Sequence, residues 1–194
     1  MTNLTHSQLF VGKNCIFNFI ISEIYKDFSN VKKLETLEVL KELGIERDKI
    51  SDHKGNLLAT GIPIPNTNFS IVSSSGRLGQ KIGETGLEGI TENVIKYIKL
   101  FEKKINKNRI DKVKFVISGG TEAGHSKGKF SHSNGWKIDI IQTPELNEYI
   151  RTNFQQTCIR NNQNRGQAEI GYIDPTSNTI WWQEKTHWDV QVMP

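Results

Sequence analysis

The chain has 194 residues, 36% hydrophobic and 24% charged, enough apolar material for one well-buried domain with at most a small appendage. Its net charge of +4 is compatible with an anionic partner such as a cell-wall polymer, and nothing in it points to nucleic acid. Two distant cysteines, Cys15 and Cys158, rule out a CxxC redox pair and a thiolate zinc cluster, and free buried thiols are the expectation for both.

No apolar run approaches the roughly 18–20 residues that span a bilayer, so no membrane span is expected. The stretch "CIFNFIIS", 15–22, is short, contains Asn18 and runs into Glu23 rather than a small-residue cleavage site. No Sec signal peptide is expected, so a target beyond the cytoplasm requires another route of delivery.

Leu34, Leu37, Leu40 and Leu43 form one helical stripe, and Gly44 is a natural stop. "GIPIPNTNFSIVSSSGRLG", 61–79, has no helical period and reads as an extended or looped connection. A boundary falls there: residues 1–68 are expected to be an N-terminal accessory unit and linker, and 69–194 the domain that carries the chemistry. Thr85 and Glu88 have the spacing of a capping box, followed by an amphipathic face of Ile90, Val94, Ile98, Phe101 and Ile105. The lysines on and after this helix, from Lys96 to Lys114, read as a solvated face.

"KVKFVISGG", 112–120, alternates and should be a strand ending at two glycines. A loop over 121–131 carries His125, "WKIDII" reads as a second strand, and Pro144 opens a helix over 144–154. "AEIGYID", "TIWWQE" and "HWDVQV" then form a β-meander with a turn at "PTSN". The expected class is α+β: a small, mostly antiparallel sheet with flanking helices, preceded by a small N-terminal unit. Trp136, Trp181, Trp182 and Trp188 could line a groove, but core packing is expected for at least two. The serines of 70–76 lack a nucleophile elbow, and "SGGTEAGHSKG" lacks phosphate-loop spacing.

A catalytic zinc takes three protein ligands, commonly two His and a carboxylate, leaves a position for water, and works with a nearby Glu as base. His132 and Asp139 are separated so as to suit a loop residue and a strand residue joined by a bend, which Asn134-Gly135 can supply. Asp139 alternates with Ile138 and Ile140, so it should point away from the core toward a groove. Glu184 and His187 would face opposite sides of a regular strand, so addressing one metal requires a tight bend at Lys185-Thr186.

His132-x-x-Gly135-x-x-x-Asp139 followed by Glu184-x-x-His187-Trp188 resembles the D-alanyl-D-alanine carboxypeptidase and hedgehog-like zinc peptidases, a group that includes phage endolysins cutting peptidoglycan stem peptides. The resemblance covers roughly residues 80–192 and includes the order of helix, strand, loop, strand, helix and hairpin. It implies that His132, Asp139 and His187 bind Zn2+ and that Glu184 is the catalytic base. It implies a metallopeptidase that hydrolyses D-amino-acid-containing stem peptides at the cell wall, as a carboxypeptidase or endopeptidase, by analogy with phage enzymes.

The chain departs from the family pattern at four places. Phe130 stands where the family has Ser, Ser131 comes one position late, and Lys137 replaces a small residue. Ser118-Gly119-Gly120-Thr121 lacks the arginine of the usual Ser-Gly-aromatic-Arg, a group that would polarise the scissile carbonyl. Lys127, Lys129, Arg160 and His125 are the candidates to replace it. The missing arginine also supports an alternative reading: a weakly active or non-enzymatic peptidase-like module of a virion or secretion machine.

Overall fold

The computed structural model describes residues 30–47, 61–63, 67–71, 85–122, 124–125, 128–162 and 167–193. The segment 15–22 with Cys15, the serines at 73–75, Lys127 and the side chain of Cys158 lie outside the described residues. In chain order the elements are β1 (Lys33–Leu34), α1 (Thr36–Leu43), β2 (Ile45–Arg47), β3 (Gly61–Pro63), β4 (Phe69–Ile71), β5 (Ile90–Thr91), α2 (Glu92–Asn106), β6 (Phe115–Gly119), β7 (Lys137–Ile141), α3 (Pro144–Asn153), β8 (Gln155–Asn162), β9 (Gln167–Ile173), β10 (Ile180–Gln183) and β11 (His187–Gln191). A single 3-10 turn, His132–Asn134, precedes β7.

The chain is α+β. Seven strands form the main sheet in the order β4-β6-β7-β11-β10-β9-β8, and every pairing is antiparallel except β4 with β6. It extends beyond the expected strands because β4 and β8 add one at each edge. Strand alternation gives this sheet two unlike faces. Phe115, Ile117, Ile138, Ile140, Tyr172, Trp181, Trp188 and Val190 point to one face, where Ile98 and Phe101 of α2 and Leu146 and Ile150 of α3 join them in one core. Phe101 sits at its centre, 4.8 Å from the Trp181 ring and 5.8 Å from Phe115. All four tryptophans are buried.

Of the expected stripe, Leu40 and Leu43 reach this core from α1 and Leu34 from β1, whereas Leu37 is 48% exposed and Val39 takes the inward position. Gly44 ends α1 in the left-handed region at φ 68°, where a residue without Cβ is strain-free. The expected capping box at Thr85 and Glu88 is not the start of α2, which begins at Glu92 with Thr91 as its N-cap. Glu88 works at a distance instead. Its carboxylate accepts the Thr36 backbone N–H at 2.8 Å and the Thr36 hydroxyl at 3.0 Å, satisfying an orphan donor at the start of α1. Among the described residues no helix is long and apolar enough to cross a membrane.

Candidate metal centre

The opposite face of the sheet carries charge. Asp139 lies mid-strand in β7, between the core-facing Ile138 and Ile140, and pairs across the ladder with Asp189 of β11. Both aspartates are almost wholly buried. Room for the Asp139 carboxylate comes from Gly119, its partner on β6, where a Cβ would overlap that carboxylate. This gives the "SGG" end of β6 a physical reason that alternation alone did not supply.

His132 opens the 3-10 turn. Its Nδ1–H donates to the Gly120 carbonyl at 2.7 Å, which leaves Nε2 directed at the two aspartates, 3.2 Å from Asp139 Oδ1 and 3.5 Å from Asp189 Oδ1. Gly135 ends the turn at φ 76°, and a Cβ there would strike the Gly89 carbonyl. The expected bend at Asn134-Gly135 is therefore present, and only glycine fits it.

The second expected bend is also present. The Glu184 N–H donates to the His187 carbonyl at 3.1 Å, closing a tight turn through Lys185 and Thr186. Gln142 clamps this turn from the end of β7: its amide donates to the carbonyls of Glu184 at 2.6 Å and His187 at 3.1 Å. Asn147 of α3 holds Gln142 at 3.1 Å and accepts the Trp188 indole N–H at 2.7 Å. The turn thus brings both side chains to one place. His187 Nε2 is 3.3 Å from Glu184 Oε2 and 3.6 Å from Asp139 Oδ2, while His187 Nδ1 is occupied by the Thr186 hydroxyl at 3.1 Å.

His132, Asp139, Glu184 and His187 therefore converge, with the two imidazoles facing different oxygens of one carboxylate. A further histidine stands beside them. The ligand atoms of His125, His132 and Asp139 all lie within 4.8 Å of one another, and this group could hold a metal ion; among the described residues the expected set of His132, Asp139 and His187 does not come that close, because His187 meets Asp139 from the other side. The oxygens Asp139 Oδ1 and Asp189 Oδ1 are buried without a hydrogen-bond partner, although His132 Nε2 is close to both. At 3.2 and 3.5 Å, His132 Nε2 can meet these oxygens either as a protonated donor or, without its proton, as a nitrogen sharing a cation with them.

Spacing did not single out Asp189 and Arg160. Asp189 Oδ2 accepts Lys137 Nζ at 2.6 Å and Arg160 Nη2 at 2.8 Å, so Lys137, unusual for the motif it occupies, has a partner of its own. Arg160 lies over the Trp182 ring at 4.5 Å, and its guanidinium also binds Glu169 and donates to Glu184 Oε1 at 3.0 Å. The signal was the two-residue step from His187 to Asp189, which puts both side chains on one strand face.

These charges move the ionisation of the cluster. Burial lowers His132, but Asp139 and Asp189 outweigh it and raise it to about 10. Burial would raise Asp189, yet Lys137, His132 and Arg160 hold it well below the usual carboxylate range. Burial raises Glu184, with Glu169 and Asp189 adding to the effect while His187 and Arg160 oppose it. Two buried carboxylates around one imidazole require a positive charge between them, carried by a proton or by a metal ion. No protein-family model, curated protein or solved structure matches this chain.

Proposed function

We propose that this chain is a zinc peptidase of the D-alanyl-D-alanine carboxypeptidase and hedgehog-like type, acting on peptidoglycan stem peptides. The observation that carries the reading is the placement of His132 Nε2 and His187 Nε2 against the two oxygens of Asp139, with Glu184 adjoining His187. Two imidazoles and a carboxylate with a neighbouring glutamate are the donor set of a catalytic zinc site. The partnerless Asp139 oxygen fits that set, since a buried lone pair needs a cation or a donor. His132, Asp139 and His187 would hold the ion.

Zinc, when bound, makes its water a nucleophile near neutral pH and polarises the scissile carbonyl. Glu184 accepts the proton of the attacking water and passes it to the amine that leaves. Its upward-shifted ionisation suits a group that must both take and return a proton. Arg160 fixes Glu184 through Oε1, which leaves Oε2 on the side of His187. Gly120 and Gln142 set the orientations of His132 and of the Glu184 turn. Zymography on purified peptidoglycan tests the reading: lysis by the wild type that disappears in Glu184→Ala supports it, and an inert, zinc-loaded wild type contradicts it.

The second reading is a peptidase-like binding or structural module of a virion or secretion machine. One observation favours it. Thr121 stands where the family has arginine, and Arg160, the guanidinium within the cluster, is engaged by Glu169, Glu184 and Asp189. Zinc binding without turnover on any peptidoglycan or defined stem peptide is its expected signature.

A further inference from the structure

His125 comes close to His132 and Asp139, yet its geometry is not that of a ligand beside His132. Its ring stacks on that of His132, with centroids 3.9 Å apart and planes within 17°. An imidazole lone pair lies in the plane of its ring, so two near-parallel rings one above the other cannot both aim at one ion. His132 Nε2 is the nitrogen directed at Asp139, 3.2 Å from Oδ1. His125 Nε2 turns instead to Glu122 Oε1 at 2.9 Å, and because a carboxylate oxygen accepts, this nitrogen carries a proton.

What His125 supplies is a fixed surface. The second side-chain torsion of a histidine is broad rather than staggered, so its neighbours decide the plane of the ring. His132 has two such neighbours. The Gly120 carbonyl accepts its Nδ1–H at 2.7 Å and sets one edge, and the face of His125 limits the tilt about that edge. A ring can act as a plate only if it is itself held. Glu122 holds His125, and its Oε2 accepts the backbone N–H groups of Gly86 at 2.7 Å and Gly120 at 2.8 Å. Gly120 therefore fixes both rings, His132 through its carbonyl and His125 through its N–H and Glu122. Its backbone is pressed so closely on Gly86 that a Cβ would overlap the Gly86 carbonyl.

We propose that His125, tied down by Glu122, is a positioning residue for His132: its ring face holds the imidazole plane in which Nε2 meets Asp139 and the ion, and no nitrogen of His125 binds that ion. This rests on the metal reading above, in which His132 is a ligand. Groups that orient a ligand ring from outside the coordination sphere are worth about 10–100-fold in metal affinity.

The test uses the full chain, stripped of metal and titrated with Zn2+ against a competing chelator and with Co2+ by visible absorption. His125→Ala, which removes the plate, is expected to weaken Zn2+ binding by about tenfold. His125→Phe, which keeps a ring face and has no nitrogen, should bind within about threefold of the wild type and reproduce its Co2+ spectrum. Glu122→Gln loosens the tether but can still accept the two backbone N–H groups, so it should weaken binding less than His125→Ala does. Equal losses in His125→Ala and His125→Phe, with an altered Co2+ spectrum in both, would overturn the proposal by making a nitrogen of His125 essential. Wild-type affinity in His125→Ala would overturn it as well, since His132 would then need no plate. In either case zinc binding that disappears in His132→Ala leaves the metal reading standing, whereas a wild type that binds neither ion contradicts both.

Discussion

The two faces of the main sheet come from the same alternating strands, yet different physics holds each together. On the core face, Phe115, Ile117, Ile138, Ile140, Trp181 and Trp188 meet α2 and α3, and burial of apolar area is the stabilising term. On the other face, Asp139, Asp189, Glu169, Lys137, Arg160, His132 and His187 share a confined space, where each buried charge costs desolvation unless an opposite charge meets it. The core face stabilises the protein; the charged face depends on that stability and leaves Asp139 Oδ1 and Asp189 Oδ1 without a hydrogen-bond partner.

The largest effect should separate chemistry from architecture. Glu184→Gln is expected to lower stem-peptide hydrolysis by about 10²–10⁴-fold with zinc content unchanged, since the proposal gives this carboxylate the role of base and not of ligand. A variant that keeps wild-type turnover would remove Glu184 from the mechanism. Next comes the core face. Phe101→Ala should cost about 3–5 kcal/mol in urea unfolding, because its ring touches Phe115, Tyr149, Phe154 and Trp181 at once.

The charged face should answer differently at its two aspartates. Asp189→Asn removes the buried carboxylate that pairs half-buried Lys137 and Arg160 and should destabilise the metal-free protein by about 2 kcal/mol. Asp139→Asn, whose carboxylate meets neither of those cations, should cost less without metal and should lose the stabilisation that zinc gives the wild type. Equal costs in metal-free protein would mean that the two carboxylates are not distinguished as described. The smallest expected effect is at Gly119, where alanine would press on the Asp139 carboxylate and cost about 1–3 kcal/mol, with weakened zinc binding as the second readout.

The core face was readable because its signals are periodic. The stripe along α2, the alternation of β6 and β7, and the meander of β9 to β11 each repeat one rule over several residues. Of the site, the sequence pattern anticipated that His132 and His187 would both meet Asp139 and that bends would occur at Gly135 and at Lys185-Thr186, but not that His125 would stand with His132 and Asp139. What was hidden depended on contacts remote in sequence. Strand β8, "QQTCIRNN", shows little alternation because it lies at the sheet edge with one partner, and so Arg160 could not be placed against Glu184. Glu88 had the correct spacing for a cap, but the helix it serves starts 52 residues earlier in the chain. Gly119 and Gly120 looked like a strand end, and their need for space appears only when Asp139 and Gly86 are brought beside them.

The account turns on a cation held among His132, Asp139 and His187, and metal analysis addresses it directly. Purified wild type should carry one zinc per chain, and His132→Ala, folded to the same circular dichroism spectrum, should carry none. A wild type that takes up no zinc, or a variant that retains it in full, would contradict the account.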